Sequence, residues 1–319
     1  MPLHIETPLI ESRPLSLASG RSVWLKLDAL QPPGSFKIRG IGAACEHHAQ
    51  NGKTRFVSSS GGNAGIAVAY AGRRLSIPVI VVVPETTTDM AKALIRREDA
   101  EVVIHGASWQ EANAHALSLV DAASAFIHPF DDPLVWAGHA TMIDEIARAG
   151  ENFDAVLLSV GGGGLLSGVA EGLIRNGLGH IPIIAVETEG AASLAESVAA
   201  GCRIELPAIT SIAITLGAKK VCQRAFDLTR TQAVDCVVVS DRAAVEACER
   251  FLDDHRLLVE PACGAALAVA YGDPARLGRC QRLLVVVCGG ATTTIGQIQA
   301  WSRTLEASIA MSGASNKSR

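Results

Sequence analysis

Ala155-Val156-Leu157-Leu158-Ser159-Val160 runs without a break into Gly161-Gly162-Gly163-Gly164, and an apolar-periodic segment follows over 164–176. A short aliphatic run of this kind reads as a strand buried on both faces, the form strands take in parallel sheets covered by helices. The glycines make the turn from strand to helix. They let backbone N–H groups point inward at an anion, and the helix start adds positive potential. The turn therefore has the geometry of a phosphate cradle, although a glycine-rich turn needed only for close packing reads the same way. It is no dinucleotide fingerprint, because Leu166 and Ser167 stand where a third glycine would fall, and no Gly-Lys-Ser/Thr follows to make a P-loop.

The same unit recurs on either side. Strands are predicted at Val23–Leu27, Arg55–Ser58, Ile77–Val83, Glu101–His105, Ala125–Pro129, Ile181–Glu187, Cys236–Ser240 and Leu283–Val287. Helices are predicted after Gly65 to about Leu75 and over 87–98, 107–122, 133–149, 190–200, 218–230, 241–253, 262–271 and 293–306, while 202–217 reads as irregular. Alternation of this kind implies two doubly wound α/β domains with mostly parallel sheets, since about ten strands exceed one comfortable sheet. The small polar tail from Ser312 to Arg319 is expected to be disordered. Ligands of such sheets bind beyond the carboxyl ends of the strands, where Ser60–Asn63, Gly161–Gly164, Glu187 and Cys288 fall.

Composition narrows the class. The 319 residues are 49% hydrophobic and 4% aromatic, enough for a large aliphatic interior. A net charge of -4 with no basic block argues against nucleic acid or an anionic membrane as partner. No apolar run reaches membrane-spanning length, and Met1-Pro2-Leu3-His4-Ile5-Glu6 lacks the form of a signal peptide. Eight cysteines without a CxxC pair fit reduced thiols in a cytoplasmic protein.

Pro32-Pro33-Gly34-Ser35-Phe36-Lys37-Ile38-Arg39-Gly40 sets a lysine between hydrophobic residues at a helix start, with Ser35 as the expected N-cap. The helix dipole and burial both disfavour a charged amine there, leaving a nucleophile suited to Schiff-base chemistry with aldehydes such as pyridoxal phosphate. The plainer alternative is a lysine with its stem packed and its head in water. Ser59-Ser60-Gly61-Gly62-Asn63 is a second strand-to-helix turn, suited to a carboxylate or a phenolate oxygen, or to N-capping by a serine or Asn63. Cys288 before Gly289-Gly290 is by itself a small buried hydrophobe. Glu187 suits either a cation or the N-cap of the next helix. His47-His48 and Asp253-Asp254-His255 lack metal-site spacing, and no Gly-x-Ser-x-Gly occurs to make a serine hydrolase.

Taken in order, Ser35-Phe36-Lys37-Ile38-Arg39-Gly40, Ser59-Ser60-Gly61-Gly62-Asn63-Ala64-Gly65, Gly161–Leu165 and Val287-Cys288-Gly289-Gly290 resemble the serine/threonine dehydratases of pyridoxal-phosphate fold type II. The likeness runs from Thr7-Pro8-Leu9 to the final strand. Glu260-Pro261-Ala262-Cys263-Gly264-Ala265-Ala266 and Ala137-Gly138-His139-Ala140 look like its branch of short L-serine dehydratases. The resemblance implies a small domain over 32–134 and a large cofactor-binding domain made of 1–31 and 135–319, in a tryptophan-synthase-β-like fold.

It further implies that Lys37 carries pyridoxal phosphate, that Phe36 packs on its ring, and that Asn63 bonds the ring's phenolate oxygen. Gly161, Gly162, Gly163, Gly164 and Leu165 would hold the phosphate, and Cys288 would face the ring nitrogen. Ser60, Gly61 and Asn63 would hold the substrate carboxylate. A monovalent cation, potassium, would sit among Gly161, Glu187, Ala191, Ser193, Leu216 and Ala218. The implied reaction is β-elimination on L-serine to pyruvate and ammonia, with L-threonine giving 2-oxobutanoate, in a homodimer. Serine racemisation, β-replacement or an idle cofactor-binding protein are the alternatives. Ala291-Thr292 and Gly61 depart from the pattern of some relatives, so the ring-nitrogen side and the substrate preference are expected to differ.

Overall fold

The computed structural model of the chain describes residues 1–272 and 274–315. It opens with β1 (Leu9–Glu11), α1 (Arg13–Ser19) and β2 (Ser22–Lys26), which lead to α2 (Lys37–Gln50). Four strand–helix units follow: β3 (Arg55–Ser58), α3 (Asn63–Leu75), β4 (Val79–Val83), α4 (Asp89–Arg97), β5 (Glu101–Ile104), α5 (Trp109–Ser118), β6 (Ser124–Phe126) and α6 (Pro133–Ala149). The remainder is β7 (Ala155–Ser159), α7 (Gly164–Arg175), β8 (Ile183–Thr188), α8 (Ser193–Ala200), α9 (Gln223–Thr231), β9 (Val234–Val239), α10 (Asp241–His255), α11 (Pro261–Tyr271), β10 (Arg282–Val286) and α12 (Ile295–Ser315).

Two sheets result. One has the order β1-β2-β10-β7-β8-β9 and the other β5-β4-β3-β6. Every pairing is parallel except β1 with β2, as the continuous aliphatic strands require. All of β7 and β8 is buried, in one aliphatic core that includes Leu157, Leu158, Val186, Leu284 and Val285. A second core packs α2 and α3 against the smaller sheet through Ile38, Ile41, Val68 and Val81. Helix starts follow local chemistry: the side chains of Ser12, Thr88, Asp132 and Ser240 each accept a backbone N–H, and Ser108 and Glu111 form a capping box.

Three expectations change. Ser35 is not the N-cap of α2. Phe36 takes that position, no side chain caps the helix, and the Ser35 hydroxyl is buried without a partner. The reason is tertiary, since Ser35 pairs with Gly289 in an isolated antiparallel bridge. The helix ending the chain continues to Ser315, so 312–315 is helical rather than disordered, no proline being there to stop it. Residues 316–319 of the expected tail lie outside the described residues. The third change is β1 and α1, short elements that the strand–helix alternation does not announce.

One buried ionic cluster fixes the start of α2. Arg39, fully buried, reaches Asp28 at 2.6 Å and Glu145 at 2.6 Å, and Lys26 meets Glu145 at 2.5 Å. Two cations face two carboxylates, so no charge is left unpaired. Among the described residues no helix is long and apolar enough to cross a membrane.

Candidate active site

The backbone around Lys37 is stitched to the exit of β10. Phe36 N–H donates to the Cys288 carbonyl at 3.0 Å, and Gly290 N–H to the Gly34 carbonyl at 3.0 Å. A Cβ on Gly289 would stand 2.4 Å from the Gly34 carbonyl oxygen, so that crossing requires glycine. Lys37 is half-buried, and its amine donates to the Pro129 carbonyl at 2.7 Å. Burial brings its pKa down to about 8, against the opposing pull of Cys288, Glu260 and Cys222. The amine thus loses its proton far more readily than an ordinary lysine, the direction its sequence setting predicts, although it is still mostly protonated at neutral pH.

Pro129 ties this amine to the tetraglycine turn. The next residue, Phe130, lays its ring against Gly162 so closely that a Cβ there would sit 2.4 Å from the ring. A Cβ on Gly164 would meet the Phe130 carbonyl at 2.9 Å, and one on Gly163, whose φ is +93°, would meet Ala225 at 2.5 Å. Gly163 begins α7, and no side chain caps that helix start. Its first N–H groups are left for something other than protein side chains.

Asn63 is the first residue of α3, and its side chain turns away from its own helix. Its Nδ2 donates to Glu260 Oε1 at 2.7 Å, while its Oδ1 accepts the Ala291 N–H at 3.1 Å. N-capping by Asn63 is therefore excluded. The Ser60 hydroxyl accepts the Gly62 N–H at a long 3.4 Å. A Cβ on Gly61 would lie 2.7 Å from the Thr87 hydroxyl, so glycine keeps that wall of the turn open.

Cys288 is 6% exposed. The neighbouring Cys263 thiol and burial push its pKa well above the ordinary thiol value, so it stays protonated. His139 packs its ring at a tilt against Phe36 with centroids 4.8 Å apart, accepts the Gly40 N–H through Nδ1 at 3.2 Å, and leaves Nε2 without a partner. Burial, reinforced by Lys37 and Arg39, holds it neutral.

The residues expected around a cation fall in two adjoining places. Glu187 is buried, accepts the Leu194 and Ala195 N–H groups at 2.9 and 2.7 Å, and so caps α8. Burial raises its pKa to about 7 despite those bonds. Ala191 and Ser193 are next to it in the loop and first turn of α8, and the Ser193 hydroxyl is buried with no partner. Leu216 and Ala218 belong to the irregular segment, and a Cβ on Gly161 would be 3.0 Å from the Leu216 backbone.

Lys37, Phe36, Asn63, the glycine turn and Cys288 thus come together at the carboxyl ends of β3, β7 and β10. Sequence reasoning gave no role to Glu260, Thr215 or Thr292, which join the same cluster through their side chains. The signals for Glu260 were its place in the stretch Glu260–Ala266 that resembles the short L-serine dehydratases and an acidic residue set before Pro261 at the start of an apolar helix. Pyridoxal phosphate needs a near-neutral amine, an anion cradle and a donor for its ring oxygen. The uncapped start of α7, too tight for any Cβ, and the lowered pKa of Lys37 fit it.

Comparisons with known proteins agree. A profile for the pyridoxal-phosphate-dependent enzymes matches residues 1–289. The chain is similar to the L-serine dehydratase of Dictyostelium discoideum, with 42% identity covering 95% of this chain and 93% of the relative. It is 44% identical to the human L-serine dehydratase/L-threonine deaminase, covering 95% and 96%. The crystal structure of a fungal L-serine ammonia-lyase from Rhizomucor miehei superimposes with a TM-score of 0.90 at 33% identity, covering 95% and 99%.

Proposed function

Because the chain belongs to the family of pyridoxal-phosphate-dependent enzymes, we propose that it converts L-serine to pyruvate and ammonia, and L-threonine to 2-oxobutanoate and ammonia. Water is lost from the β-carbon and regained on hydrolysis, so the net loss is ammonia. The single observation that carries this reading is the half-buried Lys37 amine, brought to about 8 and held one residue away from the ring that walls the glycine turn.

Lys37 would hold the cofactor through its amine, and its Nζ, once free beside the substrate, would take the proton from substrate Cα. When bound, pyridoxal phosphate supplies the sink for the charge developing at that carbon. Gly161 to Leu165 would hold its phosphate through backbone amides, and Phe36 would pack on its ring. Asn63 donates to its ring oxygen. Ser60, Gly61 and Asn63 bind the substrate carboxylate at the start of α3. Cys288, kept protonated, would face the ring nitrogen as a weak proton donor.

Carbonyls of Gly161, Ala191, Leu216 and Ala218, with Ser193 and Glu187, hold potassium; the unpartnered Ser193 hydroxyl supports this assignment. Residues 32–134 act as a small domain against a larger one of 1–31 and 135–319. The protein works as a homodimer in the cytoplasm, a compartment that suits eight free cysteines. The test is incubation of the yellow holoenzyme with L-serine, measuring pyruvate, ammonia and the chirality of residual serine. Equal pyruvate and ammonia are expected. D-serine without pyruvate would replace the reading with racemisation, and a cofactor band without turnover would leave a binding protein.

A further inference from the structure

Glu260 is 4% exposed and stands at the N-cap of α11, yet its carboxylate makes no capping bond to that helix. It turns instead toward the cluster around Lys37. There it accepts the Asn63 side-chain N–H at 2.7 Å, the Thr215 hydroxyl at 2.7 Å and the Thr292 hydroxyl at 3.1 Å. These three donors come from three separate segments, and a Cβ on Gly290 would collide with the Glu260 stem at 2.4 Å. The chain thus commits a glycine and two threonines to one buried carboxylate, an arrangement that simple helix capping does not call for.

The consequence lies in Asn63. Its carbonyl oxygen is taken by the Ala291 N–H and one of its two amide N–H groups by Glu260. Flipping the amide would set its N–H groups against the Ala291 donor and its oxygen against a carboxylate, so the orientation is fixed. One N–H remains. Resting on the function proposed above, we propose that Glu260 is a positioning residue, which locks the Asn63 amide so that its remaining N–H meets the ring oxygen of bound pyridoxal phosphate. The other titratable groups near Glu260 are Lys37 from α2, Cys248 from α10, Cys263 from its own helix and Cys288 beyond β10. Burial lifts the Glu260 carboxyl to about 7, against the pull of its three donors and Lys37. Its charge therefore changes near neutrality.

The experiment compares holoenzymes of wild type, Glu260→Ala, Asn63→Ala, the double variant and Glu260→Gln, reading cofactor Kd and the cofactor's visible absorption. Glu260→Ala and Asn63→Ala are each expected to raise Kd about 3- to 10-fold and to displace the absorption maximum in the same direction. The double variant should be no worse than Asn63→Ala alone, since both changes remove one interaction. Glu260→Gln keeps the acceptor geometry and should hold cofactor like wild type, but lose the near-neutral step in the spectral pH titration. An unchanged Glu260→Ala spectrum, or fully multiplicative losses in the double variant, overturns the assignment. Should Glu260→Ala fail to fold, survival of the spectral step in Glu260→Gln overturns it instead. A wild-type protein without any cofactor band would overturn both this assignment and the proposed function, whereas a normal band indifferent to Glu260 removes only the former.

Discussion

Gly162→Ala is the sharpest test of the glycine turn. The added methyl would lie 2.4 to 2.5 Å from three carbons of the Phe130 ring. Carbon atoms rest at about 3.5 Å or more, so the ring or the turn has to move by about 1 Å. Phe130 has little freedom to give: its carbonyl accepts the Trp136 indole N–H at 2.7 Å, and its ring lies edge-on to His128 at 4.8 Å. Overpacking of this kind costs about 1–3 kcal/mol. Spent against the phosphate cradle, that raises cofactor Kd about 5- to 150-fold. Gly20→Ala is the control, since Gly20 has φ +68° with nothing within 4 Å and its loss adds only backbone strain. Titration of each variant with pyridoxal phosphate, followed by absorption, separates the two. If Gly162→Ala binds cofactor as tightly as Gly20→Ala, the cradle reasoning is wrong.

Other substitutions probe the amine and its surroundings. In cofactor-free protein, Lys37 has its pKa depressed from 10.5 to about 8, so the fold resists its protonation. That penalty is complete below about pH 8 and fades as pH rises toward the unfolded value, where both states are neutral. Urea unfolding should show apo Lys37→Met more stable than apo wild type at about pH 7, by up to about 3 kcal/mol, with the gap narrowing above pH 8; a pH-independent gap contradicts the burial argument. Cys288→Ser should keep cofactor and most turnover, because a hydroxyl is an even weaker acid than the thiol; complete loss of the cofactor band would remove Cys288 from the ring nitrogen. Arg39→Met leaves Asp28 and Glu145 with only Lys26 between them and should cost about 3–5 kcal/mol in chemical denaturation. Wild-type stability in that variant would show the cluster to be dispensable.

Much of this architecture could be read from the chain because its units are local. A run such as Val79–Val83 or Ile183–Thr188 followed by a helix declares itself through periodicity, and each of the nine strands named from the sequence has its counterpart, β1 being the one that was not foreseen. Phe36-Lys37 and the glycines after Val160 were legible for the same reason, being short stretches whose chemistry is odd where it stands. What depends on distant partners was not. Ser35 has every local mark of an N-cap, but a bridge to Gly289 decides its fate. Glu260 meets Asn63 across 197 residues and Thr215 across 45, from a segment with no regular pattern to announce it. Likewise Pro129 reads as the end of a strand, and only the folded chain makes its carbonyl the partner of Lys37.

The central claim is that Lys37, rather than any other lysine, carries the cofactor. Borohydride reduction of the holoenzyme followed by peptide mapping tests it most directly. The pyridoxyl mass should appear on the peptide containing Lys37, and Lys37→Ala should show neither the label nor pyruvate formation from L-serine. A label on Lys26, Lys53, Lys92, Lys219, Lys220 or Lys317, or full turnover in Lys37→Ala, would contradict the account.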